Sequence, residues 1–242
     1  MVDIEQQIII RPSRIVCILA LAIALLVLAS TGIKLFEFVT GRHHVYGLIR
    51  QFYLNNEGNI PTFFSTFLLL ISTVLLALIA VTKKRNHDSY AINWVILTFI
   101  FLYLSLDEAA SIHEMFSWPI MDILSRQPEG PTYHLAWTIP FIALLLILAV
   151  SYWKFLFHLP RKILLLFLIA GTLYIGGALG GELLQVLQGE FRGTENLTYI
   201  MIITFEETLE MTGILIFIHA LFKYMSFSVK EVRFSIAGGA SA

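Results

Sequence analysis

Residues 91–114 read AINWVILTFIFLYLSLDEAASIHE, and this stretch combines the two features that decide the fold. Its first sixteen residues carry no charge. As a helix they extend about 24 Å, which is shorter than the ~30 Å hydrocarbon core of a bilayer. A helix that crosses the membrane here must therefore continue into the acidic residues that follow. The stretch predicts a transmembrane helix that carries ionisable side chains inside the membrane.

The composition of the whole chain places it among integral membrane proteins. Of its 242 residues, 57% are hydrophobic and 14% are charged, whereas soluble domains carry about 25% charged residues. The net charge of −1 offers no basic surface, so nucleic acid is excluded as a partner. The single cysteine, Cys17, cannot form an intrachain disulfide. The partner that the composition predicts is the lipid bilayer.

Six stretches are apolar and close to the ~20 residues needed to cross a bilayer. They cover residues 15–36, 60–81, 90–116, 134–157, 163–187 and 199–222. Residues 40–56 are predicted to form an amphipathic interfacial segment. The predicted fold is all-α, a single transmembrane helical domain over residues 1–242 with about six helices. If residues 27–29 end a signal peptide, five spans remain.

Basic residues indicate the orientation of these spans. They form four clusters that fall on one side of the membrane if both termini are cytoplasmic, as the positive-inside rule prefers. The clusters are Arg11 and Arg14; Lys83, Lys84 and Arg85; Lys154, Arg161 and Lys162; and Lys223, Lys230 and Arg233. We therefore predict a multi-pass protein of the plasma (inner) membrane with both termini inside.

Eight ionisable residues lie within three of the predicted spans. They are Asp107, Glu108, His113 and Glu114 in the third, Glu182 in the fifth, and Glu206, Glu207 and Glu210 in the sixth. A charge near the bilayer centre costs about 2.5–3.5 kcal/mol, so such residues usually pair, bind an ion or move protons. With the predicted orientation, all eight lie in the outer half of the bilayer.

Helical phase and small residues predict that these three spans pack together. On a continuous helix, Asp107 and Glu114 lie within about 20° of each other, at 100° per residue. Residues 176–181 read GGALGG and contain two overlapping small-xxx-small pairs, which let a neighbouring helix approach closely. We expect the third, fifth and sixth spans to surround one polar centre.

The chemistry of this centre favours a divalent metal ion. Carboxylates with one imidazole suit Fe, Mn or Zn, and an ion would relieve the repulsion among the acids. The predicted metal ligands are Asp107, His113, Glu114, Glu182, Glu206 and Glu210. Glu108 and Glu207 are the predicted catalytic residues, one of them as general base. The pattern thus indicates a metal-dependent membrane hydrolase or oxidoreductase that acts on a lipid or another hydrophobic molecule.

Other functions remain open at the level of sequence. The acidic cluster is also compatible with a proton or cation pathway, and the chain with an accessory subunit of a membrane complex. No G-x-S-x-G, H-E-x-x-H or Walker motif occurs. The remaining histidines that bear on the site are predicted to lie at the surface: His43, His44, His134 and His219. The oligomeric state is not predicted.

Overall fold

The structure is a computed structural model that describes residues 11–42, 45–123 and 135–228. Every regular element in these ranges is helical, which confirms the predicted all-α class. The α-helices are α1 Pro12–Thr40, α2 Leu48–Phe52, α3 Ile60–Arg85, α4 Ala91–Ala110, α5 Ser117–Ile123, α6 Thr138–His158, α7 Arg161–Ile175, α8 Glu182–Arg192 and α9 Leu197–Ser228. A 3₁₀ turn covers Ile112–Phe116, and a π-helical segment covers Gly176–Gly181.

Five helices in the described ranges are long and apolar enough to cross a membrane. They are α1, α3, α4, α6 and the continuous helix Arg161–Arg192, which contains α7, the π segment and α8. The predicted sixth span corresponds to α9, which is not one of these five. It contacts α1, α3, α7, α8 and the π segment, so it lies at the centre of the bundle. A helix surrounded by other helices can carry carboxylates without presenting them to lipid.

An aromatic cluster joins four helices at the end of the bundle where α3 ends and α4 begins, here called the far end. Trp94 of α4 is almost fully buried and packs against Phe155 of α6, Phe167 of α7 and Tyr224 of α9. The hydroxyl of Tyr152 donates a hydrogen bond to the Asn93 carbonyl at 3.0 Å, which ties α6 to α4 a second time. Large aromatic side chains bury the most apolar area and therefore hold this end together.

A polar pair connects α3 to the start of α4 at the same end. The Lys83 ammonium donates to an Asp88 carboxylate oxygen at 2.8 Å, and the backbone N–H of Tyr90 donates to the other oxygen at 2.9 Å. Partial burial works to raise the pKa of Asp88, but these two hydrogen bonds outweigh it and hold that pKa below its usual value. Asp88 therefore stabilises the connection in its ionised form.

The helix that was predicted to run through residue 116 ends earlier. α4 stops at Ala110, and Ser111 adopts a left-handed conformation with φ 50° before the 3₁₀ turn begins. This break changes the relation between the acidic residues, because Asp107 and Glu114 no longer lie on one continuous helix. The helical-phase argument for this pair was therefore wrong.

The structure describes most of the predicted amphipathic segment over residues 40–56, whose interfacial position stays a prediction. Within the described residues of this segment, Leu48–Phe52 forms α2, and Tyr53 and Leu54 after it are buried. The backbone N–H of Leu54 donates to Ser30 Oγ at 3.1 Å. The amide of Asn59, the N-cap of α3, donates to the carbonyl of Tyr53 at 2.7 Å. These bonds fold the segment back against α1 and α3.

Candidate metal centre

One cavity of about 650 Å³ lies at the opposite end of the bundle from the aromatic cluster. Its walls come from α3, α4, the 3₁₀ turn, α5, α6, α7, the π segment, α8, α9 and the loops before α3 and α9. All eight ionisable residues that the sequence singled out line this cavity: Asp107, Glu108, His113, Glu114, Glu182, Glu206, Glu207 and Glu210. The three predicted spans thus bring their polar residues to one place.

The cavity lining is strongly acidic. Glu57 and Glu190 also line it, which together with the seven acidic residues named above makes nine carboxyl groups. In the part of the chain that the structure describes, no lysine or arginine lines the cavity. Carboxylates collected in this way attract cations, because they greatly outnumber the basic side chains that line the same cavity.

Asp107 holds His113 by two hydrogen bonds across the break at the end of α4. The backbone N–H of His113 donates to Asp107 Oδ1 at 2.6 Å, and the ring atom Nδ1 lies 3.0 Å from Asp107 Oδ2. The left-handed residue Ser111 turns the chain so that residue 113 returns to residue 107. A carboxylate at Nδ1 orients the imidazole and leaves Nε2 as the nitrogen available to a ligand.

The surroundings of His113 favour its charged form when no ion is bound. Partial burial works to lower the pKa of His113, but the hydrogen bond and charge of Asp107, with the charges of Glu114 and Glu57, outweigh it and raise that pKa. The ring also packs against Trp137, with 4.8 Å between the ring centroids. The imidazole is therefore fixed on two sides.

Three residues at the mouth of the cavity are close enough to share one metal ion. One ligand atom from each of Glu57, His113 and Glu114 lies within 4.8 Å of the others. Glu57 and Glu114 are exposed and His113 is partly buried, so this mouth triad faces the cavity opening. Two carboxylate oxygens and one imidazole nitrogen form a ligand set that transition metals and zinc accept.

The sequence argument missed Glu57 because it lies outside the predicted spans. It precedes Gly58, which has φ +64°, and Asn59, whose side-chain oxygen accepts the N–H of Thr62 at 3.1 Å to cap α3. A glycine followed by an N-cap residue marks a tight turn into a helix. That signal predicts the turn at residue 57 but not its approach to His113.

Three further carboxylates lie deeper in the cavity and form a second group, here called the deep trio: Glu108 of α4 with Glu207 and Glu210 of α9. Glu207 and Glu210 are close enough to each other and to Glu108 for their charges to repel. None of the three forms a hydrogen bond or ion pair with another described residue. The phenol of Tyr174, from α7, completes this wall.

Two glycines of the π segment let α9 approach. A Cβ on Gly177 would lie 2.7 Å from Glu210 Cγ, and one on Gly181 would overlap the Glu206 side chain. A Cβ on Gly176 or Gly180 would meet nothing within 4 Å. Of the two overlapping small-residue pairs, only Gly177 and Gly181 therefore pack against a helix. The Glu206 carboxylate accepts a short hydrogen bond from the Gln185 amide.

The predicted roles divide according to these positions. His113 and Glu114 belong to the mouth triad, and Asp107 supports His113 instead of joining the triad. Glu182, Glu206 and Glu210 line the cavity away from the triad, and their assignment as ligands stays a prediction, as does catalysis by Glu108 and Glu207. His219 is exposed. His43, His44 and His134 lie outside the described residues.

The chain belongs to the family described as "Domain of unknown function (DUF8692)", whose model matches residues 18–225. This range includes every cavity-lining residue named above. No curated protein and no solved structure matches the chain.

Proposed function

We propose that this protein is a membrane enzyme that holds a divalent metal ion, Zn, Mn or Fe, at Glu57, His113 and Glu114, and acts on a lipid or another hydrophobic molecule. The observation that carries the proposal is the mouth triad inside an acidic cavity, with Asp107 bonded to the ring of its histidine. A carboxylate behind a metal-binding histidine raises its basicity and fixes its orientation.

Different residues of the cavity would bind the metal ion and accept the proton. The mouth triad would hold the ion, which would polarise a carbonyl or phosphoryl oxygen of the substrate. Glu108 or Glu207, deeper in the same cavity, would accept a proton from an attacking water as general base. In a hydrolysis of this kind the water oxygen would bond to the carbonyl carbon or phosphorus, the bond from that atom to the alcohol oxygen would break, and the alcohol would take up the proton held by the glutamate.

The apolar part of the cavity wall supports a hydrophobic substrate. Aromatic and aliphatic side chains also line the cavity: Leu54, Leu104, Trp137, Phe141, Ala178 and Val186. A cavity lined by apolar side chains as well as by polar groups suits a molecule with a hydrocarbon part and a polar end. Both parts of such a molecule would find matching surfaces here.

An aromatic layer below the cavity favours an enzyme over a transport pathway. Phe217 stacks on Phe101 at 4.5 Å and packs against Phe167 at 4.8 Å between ring centroids. These three residues, here called the aromatic floor, each lie seven residues along their helix from a cavity residue: Phe101 from Glu108, Phe167 from Tyr174 and Phe217 from Glu210. Seven residues are about two turns, or ~10 Å, on nearly the same face.

The three rings of the aromatic floor offer no polar side chain to an ion that leaves the cavity towards the far end. A proton or cation pathway needs polar groups or water on both sides of its central site. A one-ended cavity therefore supports binding and catalysis better than conduction.

The proposal also includes the orientation of the protein in the membrane. We place both termini in the cytoplasm and the cavity in the outer half of the plasma (inner) membrane, because the basic clusters favour it. Single cysteines introduced at Lys84 and Glu195 of a Cys17→Ser protein test this in intact cells. A membrane-impermeant thiol reagent should label position 195 and not position 84. Labelling of position 84 would contradict the orientation.

Metal content tests the centre directly. Protein purified in detergent is loaded with Zn²⁺, Mn²⁺ or Fe²⁺ separately, desalted, and measured by elemental mass spectrometry. We expect a stoichiometric ion that Glu57→Gln and His113→Ala each remove. Glu195→Gln, an exposed glutamate that does not line the cavity, is the matched control and should retain it. Wild-type metal content in both variants would defeat the proposal.

Enzymatic action needs its own measurement. The metal-loaded protein and the His113→Ala variant are incubated with a total lipid extract, and the products are compared by mass spectrometry. We expect a product that requires both the metal and His113. A metal-binding protein that forms no such product, but lets cations cross liposome membranes, would establish the transport alternative.

A further inference from the structure

We propose that the 3₁₀ turn and α5 form a membrane-contacting surface that lies in the lipid headgroup layer and holds the mouth triad level with the phosphate and ester groups of phospholipids. This surface, here called the mouth anchor, consists of Met115, Phe116, Trp118 and Ile123. Its depth in the bilayer does not depend on a bound ion. The choice of a phospholipid as substrate rests on the proposed function.

The mouth anchor is apolar and exposed. All four of its side chains are exposed, and Ile123 is 80% exposed. The other face of α5 packs against the protein, because Ser117 and Met121 are each only 2% exposed. Amphipathic segments that lie at a membrane surface have this form, with one face on a polar or protein environment and an apolar face turned towards lipid.

The length of α4 sets the depth of the mouth anchor. This helix has 20 residues and is about 30 Å long, which equals the thickness of the hydrocarbon core. Large hydrophobic side chains form an exposed stripe along it: Ile92, Ile96, Phe99, Tyr103 and Leu106. A helix of this length that turns such a stripe to lipid reaches the edge of the core at Ala110. The 3₁₀ turn and α5 then fall in the headgroup layer, where tryptophan is enriched.

Exposed aromatic side chains occur at the mouth end on two other segments. Tyr46 lies in the loop between α1 and α2, Phe191 lies at the end of α8, and both are exposed. Towards the far end, Trp153 and Phe157 of α6 are exposed as well. Aromatic side chains at both ends of membrane-length helices correspond to the two interfaces of a bilayer. A bilayer accounts for exposed aromatics on three segments at the mouth end, whereas a second copy of the chain would cover a single patch.

The mouth triad and the mouth anchor share one short turn. His113 and Glu114 occupy the 3₁₀ turn together with Met115 and Phe116. Two hydrogen bonds between His113 and Asp107 fix this turn to the end of α4. The depth of the anchor therefore sets the depth of the triad. At that level a phospholipid presents its phosphate and its glycerol esters, so these are the groups that an ion at the triad would reach.

Spin labels measure the depth of the anchor directly. Phe116→Cys, Trp118→Cys and Ile123→Cys are made one at a time in a protein without its native cysteine, labelled with a nitroxide and reconstituted in vesicles of phosphatidylcholine and phosphatidylglycerol. Collision rates with oxygen, which concentrates in the bilayer, and with a water-soluble nickel chelate give the depth of each label. We expect all three labels about 15–22 Å from the bilayer centre. Leu146→Cys, on an exposed side of α6, should lie near the centre, and Glu195→Cys, in the loop before α9, should lie in water.

Two results of this measurement would overturn the inference. Labels at the three anchor positions could be as accessible to the nickel chelate as position 195, or as deep as position 146. Alternatively, their spectra could be broadened by spin–spin interaction and sharpen when the protein is diluted in lipid, which would mean that a second copy covers the surface. Neither result changes the metal content of the mouth triad, so the proposed function would survive both.

The substrate has a separate readout. In the comparison of wild type with His113→Ala on a lipid extract, the product should be a phospholipid changed at its phosphate or ester groups. A product changed only along a hydrocarbon chain would overturn this choice of substrate and leave the metal-dependent enzyme in place. Labels at the expected depth in a protein that binds no stoichiometric ion would confirm the anchor and defeat the proposed function.

Discussion

Asp107 accepts two hydrogen bonds from His113, one from its backbone N–H at 2.6 Å and one from its ring at 3.0 Å. The two residues lie on either side of the left-handed Ser111, so the carboxylate bridges the end of α4 and the 3₁₀ turn. The orientation of the imidazole is thus set by the protein before an ion binds. This relation makes Asp107 a positioning residue of the mouth triad.

Asp107→Asn tests that role. The asparagine oxygen still accepts a hydrogen bond from the backbone N–H, but its NH2 group would donate to Nδ1, which favours the tautomer that carries the proton on Nε2. We expect about 10–100-fold weaker metal binding at the mouth, with the melting temperature little changed. Calorimetric titration with Zn²⁺ measures the effect. Asp122→Asn, an exposed residue of α5, is the matched control. Unaltered affinity in Asp107→Asn would remove Asp107 from the site.

The glycines of the π segment provide an internally controlled stability experiment. Gly177→Ala and Gly181→Ala place a methyl group against glutamate side chains of α9 and should cost about 1–3 kcal/mol by overpacking. The methyl groups added by Gly176→Ala and Gly180→Ala would meet no neighbouring atom. These two substitutions should therefore leave the free energy of unfolding unchanged or raise it by up to about 1 kcal/mol. Thermal unfolding in detergent compares the four variants. Equal effects at all four positions would contradict the packing of Gly177 and Gly181.

Phe217 is expected to be the critical residue of the aromatic floor. It is 7% exposed and contacts two other rings, so Phe217→Ala should cost about 3–5 kcal/mol. Phe227→Ala near the end of the same helix removes a ring that is 65% exposed, and it should have little effect. Unfolding in detergent measures both. A similar cost for the two variants would show that the floor adds no specific packing.

Asp88 should make stability depend on pH. Its pKa is lower in the folded protein than the usual ~3.9 of an unfolded chain, so its contribution is complete above that value and is lost as pH falls through the folded pKa. At pH 7 we expect Asp88→Asn to melt several degrees below the wild type, because the charged hydrogen bond to Lys83 is lost.

As pH falls from 7 through the folded pKa of Asp88, the two melting temperatures should converge, since protonation of the wild-type carboxyl removes its charge. Asp122→Asn is again the control, and it should track the wild type at every pH. A difference between Asp88→Asn and wild type that stays constant down to the lowest pH at which the protein remains folded would show that the ionised form of Asp88 is not what stabilises the junction of α3 and α4.

Much of this architecture is already contained in the order of the residues. Apolar runs of about 20 residues predicted the helices, because a long hydrophobic segment has few other ways to satisfy its backbone in a membrane. The acidic positions within those runs, such as Glu182 and Glu206, were expected to face one centre because exposure to lipid is costly. All of them line the cavity.

The tertiary structure alone decided which of these residues meet. Helical periodicity describes positions on one continuous helix. It predicted the wrong position for Glu114 because α4 ends before Ser111 and the chain turns there. It had no means of bringing Glu57 to His113, since those residues are separated by two helices. The sequence pattern also predicted the same role for Gly176 and Gly177, whereas only Gly177 packs against α9 in the structure. Contacts between distant residues depend on how helices cross, and that geometry follows from the side chains of both partners together.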